Sequence, residues 1–182
     1  MAIKRKDITM KALILLLLST ALWAEPLSEK DLQNLQKRTV KEHILYETYL
    51  ETDKGLASVF GYQFDTFFND TQSFILAISG AVNGDRGGYG FAAFGLGQEL
   101  PINDVFTINL RAFMGSGGGG GLPAGGGFML EGHIGIVVHL SKSFGIELNT
   151  GYLTYPTGTF KSPMVNLGIQ LSGNQVFLPW DA

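Results

Sequence analysis

The stretch "FMLEGHIGIVVHLSKSFGIELNTGYL", residues 128–153, decides the fold. Phe128, Leu130, Ile134, Ile136, Val138 and Leu140 alternate with Glu131, His133, Gly135 and His139; after "SKS", Phe144, Ile146 and Leu148 oppose Gly145, Glu147, Asn149 and Gly151. A period of two marks strands with chemically different faces, and the short interruption reads as a tight turn. Acids, histidines and an asparagine share one face with glycine, while the other face is bulky and apolar.

The same sorting extends outward from this stretch. Toward the N-terminus, "VFTINLRAFM" sets Phe106, Ile108, Leu110, Ala112 and Met114 against Thr107, Asn109 and Arg111. Earlier, "YGFAAFGLGQEL" sets Phe94 and Leu96 against Gly95, Gly97 and Glu99, "SFILAISGAV" alternates, and "ASVFGYQFDTFF" places Phe60, Tyr62 and Phe64 on one side. Toward the C-terminus, "MVNLGIQLS" gives Val165, Leu167, Ile169 and Leu171 against Asn166, Gly168, Gln170 and Ser172. "TVKEHILYETYLE" is ambiguous. Val40, Ile44, Tyr46 and Leu50 suit a strand, whereas its Glu and Lys content suits a helix; closure and an even strand number favour the strand.

That makes eight strands of about ten residues, the length that carries a tilted strand across a bilayer. "NDTQ", "PIND" and "SKS" are tight; "TDKG", "NGDRGG", "GSGGGGGLPAGGG" and "YPTGTFKS" are longer, and the two kinds alternate. This is the layout of an up-and-down barrel with periplasmic turns and outer loops. The polar face is largely Gly, Ser, Ala, Asn and Gln, too small and neutral for a water-facing surface but suited to a cramped lumen. The expectation is an all-β, eight-stranded antiparallel transmembrane β-barrel whose apolar residues face lipid.

Composition narrows the function. With 182 residues and 45% hydrophobic content the chain forms one core or one barrel, and a net charge of −3 without a basic stripe leaves no footprint for nucleic acid. The 25 glycines form no collagen-like repeat, and with no cysteine the chain has neither disulfides nor thiolate metal sites. Lys4, Arg5, Lys6 and Lys11 before "ALILLLL" and "STALWAEP" form a signal-peptide pattern, cleaved after Ala24 or, alternatively, Ala21. The expected organisation is a signal peptide over 1–24, a periplasmic lead over 25–38 with a short N-terminal helix capped at Ser28, a β-barrel over 39–174 and a C-terminal tail over 175–182.

Charges in a closed lumen need partners. The candidate polar network is Asn109, Arg111, Glu131, His133, His139, Glu147 and Asn149. A hairpin centred on the glycine run places Arg111 opposite Glu131 and Asn109 opposite His133, and one centred on Lys142 places Glu147 diagonal to His139. Gly95 and Gly97 leave room for the Arg111 side chain. Tyr89, Tyr152, Tyr155, Phe160 and Phe177 lie near strand ends, where interfacial girdles belong. Lys54, Arg86 and Lys161 fall in outer loops within reach of lipopolysaccharide phosphates.

No catalytic, cofactor or metal site is expected. The glycine run lacks the Gly-Lys-Ser/Thr ending of a phosphate loop and reads as a flexible hairpin loop. The lumen Glu and His residues have no spacing typical of a metal site.

Signal peptide, dyad strands and the phrases "GGYGFAAFGLG" and "NLGIQL" resemble the small eight-stranded outer-membrane β-barrel proteins of the OmpA/OmpX type. The resemblance covers most of the mature chain and implies residence in the outer membrane, contact with its lipid and lipopolysaccharide, and insertion by the barrel assembly machinery. That machinery reads a terminal strand to which Asn166, Gly168 and Leu171 conform. Gly173 departs from its final aromatic position, which leaves Phe177 or Trp180 to take that role. His139, Ser141 and Glu147 resemble the His/Ser/Glu set of lipid A deacylases, but Ser141 falls at a periplasmic turn. The expected function is a non-enzymatic envelope-integrity or surface-interaction barrel with a plugged lumen. A lipid-modifying barrel enzyme and a soluble, lipocalin-like periplasmic binding barrel are the alternatives.

Overall fold

A computed structural model describes residues 36–50, 57–84 and 87–177. The signal peptide, the helical lead over 25–35, Lys54, Arg86 and Trp180 lie outside the described residues. Among those described there are eight strands and no helix: β1 (Gln36–Tyr49), β2 (Ala57–Phe67), β3 (Gln72–Gly84), β4 (Gly90–Pro101), β5 (Phe106–Gly118), β6 (Phe128–His139), β7 (Phe144–Thr154) and β8 (Lys161–Phe177). Each pairs antiparallel with the next, and the sheet closes into a barrel in chain order. At the seam, the Leu50 N–H donates to Pro163 O at 3.0 Å, and a Cβ on Gly168 would meet the Ile44 carbonyl. The ambiguous segment is β1, so residues 36–38 of the expected lead and 175–177 of the expected tail belong to strands.

The three tight turns share one construction. Phe68, Ile102 and Leu140 each donate a backbone N–H to the carbonyl four residues on, Gln72, Phe106 and Phe144. The next residue caps the turn: Asn69 Oδ1 accepts from Thr71 and Gln72 N–H, Asn103 Oδ1 from Val105 and Phe106 N–H, and Ser141 Oγ from Ser143 N–H. Short Asn and Ser side chains mimic a backbone turn in this way, which is why they stand here.

The glycine connection between β5 and β6 folds back on the barrel through specific contacts. Gly119, Gly120, Gly121, Gly125 and Gly127 have positive φ, and Leu122 and Ala124 fold inward and are buried. Pro123 O accepts from Thr159 N–H at 3.0 Å, and Gly126 N–H donates to Thr157 Oγ1 at 3.1 Å, tying this loop to the β7–β8 connection. A Cβ on Gly125 would overlap Thr157 O. Glycine is required here for close backbone approach and left-handed φ.

The two faces separate as the alternation requires. Leu96 is 62% exposed, Ile78 59% and Ile134 52%, whereas His43 and Glu147 are fully buried. A lipocalin-like barrel would instead turn a polar face outward; here large apolar side chains dominate the outer face, and one apolar cluster including Phe113, Met129 and Leu153 is buried inside.

Candidate functional site

The lumen is filled by side chains in three polar groups below an apolar cap. At the tight-turn end Lys41 Nζ donates to both oxygens of Glu99 at 2.6 Å and sits 5.0 Å from the centre of the Phe67 ring. Beside them, Thr107 Oγ1 and His139 Nε2 are 3.0 Å apart.

The central group is organised around Arg111. Its Nη1 donates to Glu147 Oε2 at 3.1 Å and to Gln63 Oε1 at 3.4 Å, and its Nε lies 3.9 Å from Asp65 Oδ2. Glu147 also holds His43, Oε1 to Nδ1 at 2.9 Å, and His43 Nε2 lies 3.5 Å from Asp65. Asn109 Nδ2 reaches Glu147 Oε2 at 3.5 Å. Members of β1, β2, β5 and β7 thus converge on one buried guanidinium, whose fork of donors suits several acceptors at once.

Arg111 does not pair with Glu131. The register places it opposite His133, with Asn109 opposite Gly135 and Phe113 opposite Glu131. The hairpin with its inward-folded glycine loop is centred on Leu122, one residue past the expected centre, which moves each cross-strand partner by two residues. Such a slip keeps every side chain on its face while changing its neighbour. Gly97 stands opposite Arg111 as expected, but Gly95 faces Phe113, and a Cβ there would strike its ring. The β6–β7 register is the expected one, with His139 opposite Gly145 and Glu147 opposite Val137. His139 nevertheless bonds Thr107, Glu147 bonds His43 and Arg111, and Ser141 caps its own turn, so the three do not assemble as a hydrolytic set.

The third group lies nearer the outer loops. Glu47, Glu131 and His133 come together with Asn166, whose Nδ2 is 3.5 Å from His133 Nδ1. Asn149 Nδ2 donates to Asn166 Oδ1 at 2.6 Å. Asn149 reaches this position because Gly135 opposite carries no side chain: a Cβ there would overlap the Asn149 amide. Lys41, His43, Glu47, Asp65, Glu99 and Asn166 belong to the network and were not among the expected members. The β1 residues were hidden by the strand-or-helix ambiguity; Asp65, Glu99 and Asn166 shared the polar parity and were legible from it.

Above these groups the lumen is apolar, with Val59, Ile75, Phe113, Met129, Leu153 and Met164 forming part of one buried cluster. Tyr89 and Tyr155, expected at the lipid interface, are 2% and 1% exposed and join hydroxyls at 2.9 Å. Phe160 is buried as well, edge-on to Tyr49 with ring centres 6.0 Å apart. Parity explains the difference: Tyr155 continues the inward set of Leu153, and Phe160 that of Ser162 and Met164. Burial pushes the Tyr89 and Tyr155 hydroxyls above the ordinary tyrosine range. Tyr152 is 45% exposed on the outer face.

Solved structures share this architecture at low sequence identity. A de novo designed transmembrane β-barrel superposes with a TM-score of 0.53 at 12% identity, covering 74% of this chain and 95% of that one. The chain has the fold of a transmembrane β-barrel. The Yersinia pestis outer membrane protein Ail, in a phospholipid bilayer nanodisc, gives 0.52 at 14% identity over 75% of this chain and 99% of its own. The N-terminal β-barrel domain of Pseudomonas aeruginosa OprF gives 0.50 at 11% identity over 76% and 100%. Ail and the OprF domain are small eight-stranded outer-membrane barrels. No family model matches the sequence, and no curated protein matches it.

Proposed function

We propose that this chain is an outer-membrane barrel of a Gram-negative envelope, exported by its signal peptide, that serves envelope integrity or surface interaction without catalysing a reaction. The observation that carries the reading is the outer face. Tyr46 on β1, Phe60 on β2, Phe74 and Leu76 on β3, Phe94 on β4, Leu110 on β5, Ile134 on β6, Leu148 on β7 and Leu167 on β8 stand exposed, so that every strand contributes. A water-soluble protein rarely exposes a contiguous apolar patch beyond a few hundred Å², whereas a bilayer requires such a band. The polar lumen, in which Gln170 and Glu147 are fully buried and Asn109 is 1% exposed, supports a plugged barrel rather than a channel.

Outer-membrane lipid is the proposed partner. On the outer face Ala112 and Gly132 floor a groove of about 540 Å³ rimmed by Phe94, Leu130 and Tyr152, a shape and chemistry that fit an acyl chain. The assembly machinery is the second partner, with Phe177 closing β8 where its terminal aromatic is read.

The deciding experiment is fractionation of expressing cells, with each fraction run heated and unheated on a gel. The expected result is a heat-modifiable band in the detergent-resistant outer-membrane fraction. Recovery of the folded protein in the soluble periplasm would overturn the proposal.

A further inference from the structure

The described lumen holds Glu47, Asp65, Glu99, Glu131 and Glu147 against Lys41 and Arg111. Lys41 is committed to Glu99, and Arg111 to Glu147, Asp65 and Gln63. Glu47 and Glu131 receive no contact from either cation; the basic group beside them is the His133 imidazole. All three are almost fully buried, at 3%, 5% and 5% exposed.

Their polar atoms converge without satisfying one another. One ligand atom from each lies within 4.8 Å of the others. His133 Nε2 is 2.6 Å from Glu131 Oε1 and 3.9 Å from Glu47 Oε2, yet among the described residues Nε2 has no partner in hydrogen-bonding geometry. Glu47 Oε1, Glu131 Oε2 and the Tyr49 hydroxyl are also buried without a hydrogen-bond partner. Tyr49 is itself 0% exposed, and its hydroxyl interacts electrostatically with both glutamates. Buried polar atoms left unpaired are rare and costly, and here they gather at one point.

We propose that Glu47, Glu131 and His133 bind a first-row divalent metal ion, zinc above all, inside the barrel, with the Tyr49 hydroxyl beside the open position. An imidazole nitrogen with carboxylate oxygens is a donor set for zinc and not for calcium or magnesium, which take oxygen alone. Ligand atoms in a tetrahedral zinc site stand about 3.4 Å apart at bond lengths of ~2.1 Å. The observed spread brackets that value, so small side-chain rotations complete the site.

The surroundings supply the orienting hydrogen bonds that a ligating histidine needs. Among the described residues Asn149 Oδ1 is unpartnered as its amide stands. Turning the Asn149 and Asn166 amides over together lets His133 Nδ1–H donate to Asn166 and Asn166 donate to Asn149, which leaves Nε2 free for the ion. The ion would tie β1 to β6 across the lumen, a cross-link in a chain with no cysteine.

The test uses tag-free full-length protein folded with zinc in detergent, freed of loose metal and analysed by elemental mass spectrometry. The expected result is zinc equimolar with folded barrel, and a melting temperature that falls on EDTA treatment. Glu47→Gln and Glu131→Gln should lose zinc at least tenfold, whereas Glu99→Gln at the tight-turn end keeps it. Zinc at background in the folded wild type overturns the proposal, as does zinc retained equally by both variants. Should the variants fail to fold, X-ray absorption of the wild type decides: one imidazole with oxygen neighbours supports the site, and an oxygen-only shell refutes it.

Discussion

Arg111 and Glu147 meet across the lumen at 3.1 Å from strands that are not neighbours in the sheet, β5 and β7. The pair is a junction inside the cylinder, independent of the backbone ladder, and the guanidinium holds Gln63 and Asp65 as well. Removing one member leaves the other charged and buried. Arg111→Ala is therefore expected to cost roughly 3–5 kcal/mol, and the Arg111→Met/Glu147→Leu double variant markedly less than the two single changes combined. Urea titration followed by the unheated gel band measures both.

The outward apolar face makes a prediction that separates bilayer from water. Ile134 is 52% exposed near the middle of β6. In a barrel surrounded by lipid, Ile134→Arg costs roughly 2–4 kcal/mol at the midplane. At a water-exposed position the same change stays within about 0.5 kcal/mol. Equilibrium unfolding from phospholipid vesicles distinguishes the two.

Gly135 and Asn149 are coupled by space. The Asn149 amide occupies the volume a Cβ on Gly135 would fill. Gly135→Ala is expected to lose about 1–3 kcal/mol through overpacking. Asn149→Ala in the same chain should recover part of it, with a coupling of at least about 0.5 kcal/mol in the double-mutant cycle.

The Tyr89–Tyr155 hydroxyl pair makes the outer end sensitive to alkali. Both groups lie outside the strands, and burial raises both above the ordinary tyrosine value of 10.0. The unfolded chain therefore releases these protons before the folded one does. Their contribution is intact below about pH 10 and declines above it. Stability of the wild type should fall as pH climbs past that point, and a Tyr89→Phe/Tyr155→Phe barrel should fall less steeply, by tyrosine absorbance and gel mobility.

Much of this arrangement was readable in the residues because a strand has only two faces. Parity assigned Asn109, Arg111, Glu131, His133, Glu147 and Asn149 to the lumen, and no register error of two residues can undo that assignment. Parity also held the answer for Tyr155 and Phe160, whose position near strand ends suggested the lipid interface instead. Partners were not readable. Whether Arg111 meets Glu131 or Glu147 depends on the hairpin centre and on barrel shear, and the first was set by the inward fold of Leu122 and Ala124 in a glycine-rich loop. Glu47 and His43 were hidden for a different reason: "KEHILYETY" carries helix formers, and only closure of the sheet makes it a strand.

The shared construction of the three tight turns bears on how the cylinder assembles. Each turn joins strands only a few residues apart, so β2–β3, β4–β5 and β6–β7 begin zipping with little loss of chain entropy. The seam where Leu50 meets Pro163 joins distant parts of the chain, and it gains nothing from such proximity. Ring completion at that seam is therefore expected to be the late event, and the rate at which the heat-modifiable band appears is expected to respond to changes in β1 and β8 more than to changes in any hairpin.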